Sequence, residues 1–345
     1  MYKPRVIHVK EFFPEAPPYR FAQIERAAFN ASYKGWIDVT VLPFAIRDKL
    51  QQDVPWISHT VVTIVSSQSK DTYKAVLQGF DKKRYETVLM ANARGMWTLC
   101  VSSQIGCAMR CTFCATGTMG LRRSLHADEI VDQYRFWKFF LQEHASLPQR
   151  ISNVVFMGMG EPLANYENVC SAIKTWLAFT DLGETRITVS TVGVLQQLER
   201  LLTDKDWPPV KIAISLHSAN EAKRKEIVPT TAPDFLIKLA DWSRRYGKMR
   251  GNRRHHVTFE YTLIHEVNDS VEHALDLGRY LKTTGTHKLN VIPYNPVAGK
   301  QFKRSSQDRV DQFKEALRKF GLTVTQRKTM GDDIAAACGQ LVYLT

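Results

Sequence analysis

The chain has 345 residues, 44% of them apolar, with six cysteines and a formal net charge of +13. That length suits one barrel-sized domain with an appendage, or two domains, and no run approaches the 18 apolar residues of a membrane span. Cysteines this sparse, three of them clustered, argue against a disulfide framework and for a metal site in a reducing, cytoplasmic compartment, while the excess of Lys and Arg is the electrostatic footprint of a nucleic-acid binder.

The first twenty residues, MYKPRVIHVKEFFPEAPPYR, hold no contiguous apolar stretch, so no secretory signal is expected. Residues 19–50 read as helical, with Phe21, Ile24, Ala28 and Phe29 near one face, and a second short helix over 43–52 is opened by Pro43. This gives a small helical module over 1–58. Its Arg20, Arg26, Lys34 and Arg47 suit either an RNA-contacting accessory domain or a structural cap. Residues 59–95 change character: HTVVTIVSSQS, TYKAVLQGF and RYETVLM are β-rich runs between polar turns, expected as hairpins connecting the module to the rest. From 96 to 345 strand and helix alternate. Strands are expected at 98–102, 152–157, 186–191, 210–216, 257–264, 288–293 and 322–327, and helices at 128–144, 166–179, 194–203, 234–246, 270–282 and 306–320. Six such units imply an α/β fold, an incomplete barrel or a doubly wound sheet, with ligands at the C-terminal ends of the strands.

The positive charge is clustered. Residues 244–256, RRYGKMRGNRRHH, read as a solvated loop of one sign; residues 223–225 are KRK; Lys300, Lys303 and Arg304 form a third group; Arg327 and Lys328 form a fourth. Each alone suits a solvated face, and the four together suit phosphate contacts.

The chemistry concentrates at residues 98–118, TLCVSSQIGCAMRCTFCATGT. Cys107, Cys111 and Cys114 follow C-x3-C-x2-C, and Cys100 lies seven residues upstream. Three thiolates hold three irons of a cubic iron–sulfur cluster and leave the fourth open; zinc, with Cys100 or a histidine as fourth ligand, is the alternative. Later strands end in small or hydrogen-bonding residues: FMGMGEP at 156–162 with Gly160 and Glu161, then Ser190–Thr191, Ser215–Leu216–His217, and Pro293–Tyr294–Asn295. Glycine lets a ligand approach bare backbone, and the Glu161 carboxylate suits an ammonium group. By their residues alone, Cys100 and Cys338 read equally well as buried apolar cysteines, Glu86 as an ordinary strand carboxylate, and Cys170 as core.

The three-cysteine loop, with Phe113 before its last cysteine, resembles that of radical S-adenosylmethionine (SAM) enzymes. LCVSSQIGCAMRCTFCATG, VVFMGMGEPLAN, ITVSTVGV, IAISLHSANEAKRKEIVP, EYTLIHEVNDSVEHA, VIPYNPVAGKQFKRSS and RKTMGDDIAAACGQL resemble successive blocks of the RlmN/Cfr family, in order, from about residue 84 to 341. The resemblance implies an incomplete (β/α)6 barrel and a methyltransferase acting on an adenosine of 23S rRNA. It implies a [4Fe–4S] cluster on Cys107, Cys111 and Cys114, two SAM molecules per turnover, an electron donor such as flavodoxin, and a monomer. SAM would chelate the open iron and be held by Phe113, Gly160, Glu161, Ser190, Ser215, Leu216, His217 and Asn295. Cys338 matches the family's cysteine that becomes S-methylated, Cys100 its disulfide-forming partner, and Glu86 the proton acceptor. In that scheme a radical made from the second SAM activates the methyl on Cys338, the carbon adds to the ring, and Cys100 releases the product.

RlmN-type members methylate C2, and Cfr-type members C8, of the same adenosine. Pro162 in GEPLAN, RKTMGDD and GKQFKRSS lean to C2; the spacing of TVLMANARGMWTL leans to C8. RlmN-type members also modify an adenosine in the tRNA anticodon stem-loop. An RNA-binding iron–sulfur sensor without methyl transfer is the reading from another class.

Overall fold

A computed structural model describes residues 5–30, 32–250, 257–286 and 288–342. The fold opens with three short helices, α1 (Arg5–Phe12), α2 (Pro18–Ala28) and α3 (Phe44–Asp53). They wrap Trp36, which is fully buried, donates its indole N–H to the Val54 carbonyl at 2.7 Å, and packs edge-on against Trp56 at 4.9 Å. Val9, Ile24, Ala27, Leu42 and Leu50 complete this separate small core.

Three strands follow, β1 (Thr60–Ser66), β2 (Thr72–Gln78) and β3 (Arg84–Ala91), paired antiparallel. These are the hairpins expected over 59–95. β3 pairs antiparallel with β4 (Trp97–Cys100), so the hairpins extend the main sheet. A two-stranded ribbon of β5 (Gln104–Ile105) and β6 (Arg123–Ser124) brackets the short helix α4 (Ala115–Thr118) in the cysteine loop.

The barrel then runs as α5 (Ala127–Glu143), β7 (Ile151–Phe156), α6 (Tyr166–Phe179), β8 (Ile187–Thr191), α7 (Leu195–Thr203) and β9 (Lys211–Ser215). It continues with α8 (Glu221–Ile227), α9 (Phe235–Arg250), β10 (Thr258–Leu263), α10 (Val271–Thr284), β11 (Lys288–Pro293), α11 (Gln307–Arg318) and β12 (Thr323–Gln326). The sheet order is β1-β2-β3-β4-β7-β8-β9-β10-β11-β12, and every pairing from β4 to β12 is parallel. Each crossover returns through at least one helix, so the parallel strands are covered and read as apolar runs. The sheet stays open between β1 and β12: an incomplete α/β barrel of six βα units.

The small module is docked on α5 by buried charge. Arg5 and Arg135 both pair with Asp132, at 3.0 and 2.6 Å, all three side chains being almost fully buried. Arg135 also donates to the carbonyls of Ala28 and Trp56, and Lys138 to that of Phe29. Further hydrogen bonds help a buried ion pair to offset its desolvation, and here the Ala28 and Trp56 carbonyls accept from Nε and Nη1 of Arg135.

Two sequence expectations about charge change with the fold. Residues 244–250 end helix α9 rather than forming a loop, with Arg244 and Arg245 paired to Asp241 and Arg245 also to Glu199; residues 251–256 lie outside the described residues. Within KRK, Arg224 is buried inside the protein. It donates to the carbonyls of Leu216 and Val192 and to Thr231, and lies 3.6 Å over the Phe235 ring. It is a staple across the ends of β8 and β9, which removes it from any phosphate-binding role.

Candidate active site

The strand ends meet a cavity at the mouth of the barrel, lined by Cys107, Cys111, Cys114, Phe113, Gly160, Glu161, Ser190, Ser215, His217, Asn295 and Cys338. Its position follows from the parallel sheet, whose C-terminal strand ends leave helix-free space.

The cysteine loop is shaped by its own backbone. Gly106 sits at φ +74°, where an added Cβ would fall 1.8 Å from the Gly120 carbonyl oxygen, and the Cys107 amide donates to that same oxygen. The Cys114 amide closes back on Cys111 at 3.1 Å. Cys107 and Cys111 are buried, and Cys111 and Phe113 pack against Ile227, Val228, Ile264 and Tyr294. Burial pushes all three thiols upward, Cys107 to about 12. Soft donors in so apolar a wall become thiolates only when a bound cation repays their desolvation. Among the described residues, no three His, Cys, Asp or Glu side chains close on one point as ligands of a single ion would. Three spread thiols fit a cluster, where each takes a separate iron.

Opposite the loop, Gly160 at φ +96° brings its backbone against Gln104, where a Cβ would lie 2.5 Å from the Gln104 Cβ. The Glu161 amide donates to Gln104 Oε1 at 2.9 Å. The Glu161 carboxylate is buried and its pKa is raised by burial, against hydrogen bonds from Thr191 and from the Leu163 and Val192 amides, each 3.0 Å away. It ties the ends of β7 and β8 together while facing the cavity. Ser190 and Ser215 hydroxyls meet at 3.3 Å.

His217 has φ +61°, its ring edge-on to Phe113 at 4.8 Å, and its Nδ1 accepts from the Thr262 amide at 3.1 Å. Burial, with the Arg224 charge, drops its pKa to about 3. The imidazole is therefore neutral, and an occupied Nδ1 acceptor leaves the proton on Nε2. Leu216 does not line the cavity: its amide donates to Glu260 O and its carbonyl accepts from Arg224. Asn295 donates to the Cys338 carbonyl at 3.1 Å and accepts from Arg304 and Thr329. Its side chain thus holds the terminal loop.

Cys338 is exposed and borders a second cavity, which Cys100, Met90, Asn92, Asn290, Arg327 and Lys328 also line. The structure therefore brings Cys100 and Cys338, from opposite ends of the chain, to one space. Protein enclosure raises both thiols' pKa values, with Arg327 acting against the shift at each. Arg327 in turn is held by Glu260 at 3.0 Å, and Glu260 by Asn290 at 2.8 Å. Strand register explains this set: Glu260 is the partner of Ser215 on one side and of Asn290 on the other, so the three side chains share a face. Sequence reading missed Glu260, a buried carboxylate in an apolar strand; that mismatch was its only signal.

Glu86 lines neither cavity. It is buried on the same sheet face as Cys100, two residues along from Val88, the Cys100 cross-strand partner. It pairs with Lys74 at 3.0 Å, and Lys74 also donates to the Ala335 carbonyl of the terminal loop. Burial raises the Glu86 pKa against the Lys74 charge. Asp332 and Asp333 fix that loop by accepting from Gln340 and from the Gln68 amide. Cys170 is a core residue of α6.

The family model for the Radical SAM superfamily matches residues 101–278, the stretch from the cysteine loop through α10. The ribosomal RNA large subunit methyltransferase N of Nitrosopumilus maritimus (strain SCM1) is 40% identical over 332 residues, 94% of this chain and 92% of the relative. The chain belongs to the RlmN family of radical SAM enzymes. A protein of Acaryochloris marina (strain MBIC 11017) named "Probable dual-specificity RNA methyltransferase RlmN" is 37% identical, covering 95% of this chain and 89% of its own. A crystal structure of a radical SAM methyltransferase from Sphaerobacter thermophilus superposes with a TM-score of 0.88 at 37% identity, covering 99% of this chain and 98% of that one. This RlmN-family chain is thus a SAM-dependent radical methyltransferase, and membership implies a [4Fe–4S] cluster and SAM. No helix among the described residues is long and apolar enough to cross a membrane.

Proposed function

We propose that this protein methylates C2 of an adenosine in 23S rRNA, with Cys338 as methyl carrier, Cys100 as resolving thiol and Glu86 as proton acceptor. One observation carries the reading: Cys338 borders both the three-cysteine cavity and the cavity that holds Cys100. A thiol so placed faces a methyl donor on one side and an acceptor base on the other. The large-subunit rRNA named for the Nitrosopumilus relative supplies the substrate class, and the dual specificity named for the Acaryochloris relative supports tRNA as a second substrate.

When bound, the cluster and two SAM molecules per turnover supply a methyl group and the radical that activates it. Cys107, Cys111 and Cys114 hold the cluster. Gly160 and Glu161 offer backbone and carboxylate to the SAM ammonium, while Ser190, Ser215 and the Nε2–H of His217 face its polar groups and Phe113 closes the apolar wall. The adenine occupies the second cavity, where Asn92 and Asn290 offer amides and Arg327 offers a cation. Glu86, with its raised pKa, is a stronger base than a surface carboxylate; Lys74 links it to the loop that carries Cys338. Cys100 attacks the Cys338 sulfur: a disulfide forms as the bond from that sulfur to the transferred carbon breaks, and the carbon keeps the electron pair and takes a proton to become the product methyl. The nearby guanidinium favours the thiolate such exchange needs.

The small module over 1–58 suits RNA contact. Tyr19 and Phe44 are 58% and 66% exposed, each beneath an arginine, Arg20 at 5.3 Å and Arg47 at 5.6 Å. Exposed rings flanked by cations stack unpaired bases.

The test is anaerobic reconstitution with SAM, a reductant and a 23S rRNA fragment, followed by digestion and mass spectrometry against 2- and 8-methyladenosine standards. 2-Methyladenosine is expected, in a tRNA transcript as well. 8-Methyladenosine overturns the regiochemistry, and no methyladenosine overturns the function. Cys100→Ala is expected to leave protein covalently attached to RNA on a denaturing gel; normal turnover by that variant overturns the two-thiol assignment.

A further inference from the structure

Three cavities lie in series through this molecule. The three-cysteine cavity shares Met157, Ile292, Asn295 and Cys338 with the base-side cavity. On its other flank it shares a single residue, Cys111, with a third depression that opens on the surface. Arg110, Thr112, Met119 and Lys300 line this third space, and none of its residues borders the base-side cavity. Cys111 therefore borders both the three-cysteine cavity and the surface depression.

The charge around that place is unbalanced. No Asp or Glu occurs from Val101 to Ala127, nor from Lys288 to Gln307, the two segments that form the rim. Among the described residues, Arg110, Arg122, Lys300 and Lys303 have no carboxylate within ion-pair distance, whereas the cations on the helices are widely paired: Arg200, Arg244, Arg245, Arg279 and Arg318 each meet an acid. Arg110 is exposed, and it and Lys300 both line the depression. Unneutralised cations lining this depression, Arg110 and Lys300, with Arg122 and Lys303 close to its lining residues in sequence, form a steering field for an anion.

We infer that this depression is the docking surface for an acidic one-electron donor protein, which reduces the cluster across Cys111. One electron leaves the donor and enters the cluster, and no proton moves. RNA is the competing polyanion, but its reacting carbon must reach Cys338, which borders the opposite cavity. The inference rests on the assignment of Cys107, Cys111 and Cys114 as cluster ligands and is independent of what is methylated. Small, salt-sensitive contact areas are usual for such electron-transfer encounters.

The experiment uses cluster-loaded full-length protein without RNA, reduced in a stopped-flow instrument either by flavodoxin hydroquinone, an acidic protein, or by reduced methyl viologen, a small cation. Arg110→Glu with Lys300→Glu is expected to slow reduction by flavodoxin about tenfold at low ionic strength and to flatten its salt dependence. Reduction by methyl viologen is expected not to slow, and RNA affinity, measured in parallel by filter binding, not to change. An unaltered flavodoxin rate overturns the inference. So does equal slowing with both reductants, which locates the defect in the cluster, and so does lost RNA affinity with unchanged reduction, which makes the face an RNA contact. Should the double variant fail to load iron, Arg122→Glu with Lys303→Glu carries the same expectations from outside the three-cysteine loop. Failure to make methyladenosine would leave these outcomes intact, because the measured quantity is cluster reduction alone.

Discussion

The cluster loop and the Cys338 loop bring thiols to the same cavity by opposite means. Residues 107–114 are held by bonds among near neighbours and by a glycine that only a tight crossing requires: Cys107 to Gly120, Cys114 to Cys111, Gly106 against Gly120. The Cys338 loop has one 3₁₀ turn, Asp332–Ile334, and a few bonds of its own, such as Ala336 to Gly331, and is also tied to distant groups. Lys74, Gln68, Asn295, Arg304 and Thr116 all reach it from other elements. Fixed geometry at a cofactor ligand is favoured by such short-range bonds, whereas the Cys338 loop depends on several other elements, among them the cysteine loop itself, whose Ala115 amide donates to the Gly339 carbonyl at 2.8 Å.

The largest expected effect separates the two loops directly. Cys111→Ala should lose iron, visible absorption and every downstream product. Cys338→Ala should keep the iron and still cleave SAM reductively to 5′-deoxyadenosine, yet transfer no methyl group. Iron assay with product analysis checks the pair; loss of iron in Cys338→Ala would show that the loops are not independent.

A smaller effect tests the anchoring. Asn295→Ala removes the side-chain hydrogen bond to the Cys338 carbonyl. One such bond is worth about 1 kcal/mol, so methylation should fall about five- to tenfold with iron content unchanged. Single-turnover rates and SAM binding measured together show whether Asn295 serves the loop or the cofactor more.

The smallest concerns the scaffold beneath both. His59 is buried and, among the described residues, neither ring nitrogen has a hydrogen-bond partner; burial lowers its pKa to about 4. Its folded value lies below the usual imidazole value near 6.5, so the unfolded chain binds the proton more readily. Stability from His59 is complete above pH 6.5 and is lost as pH falls toward 4, at up to about 1.4 kcal/mol per pH unit. Denaturant midpoints at pH 7 and 5 should differ less in His59→Gln. An unchanged pH difference would assign the acid sensitivity to other groups.

The six barrel units were legible because buried parallel strands are short apolar runs and their helices keep one apolar stripe. Observed bounds fall within a few residues of expectation, as with α6 at Tyr166–Phe179. Less visible were α1 and α8, short segments whose helicity depends on what they pack against. That the hairpins extend the main sheet was not legible, because pairing of β3 with β4 is a register choice that no local pattern announces. The basic clusters misled for the same reason: Arg224 and a surface lysine look alike in a string, and only the fold shows Arg224 buried across two strand ends.

The sequence by itself determined the three-cysteine site, because ligand spacing and tight glycine turns are local properties of consecutive residues. It also determined the barrel, through its repeating apolar pattern. Only the tertiary structure decided that Cys100 and Cys338 share a cavity, that Glu260 and Arg327 stand beside them, and that Cys111 borders both the inner site and a surface depression lined by Arg110 and Lys300. Those are juxtapositions between distant segments, fixed by strand register and by buried polar groups finding partners, and neither is written in any short stretch of chain.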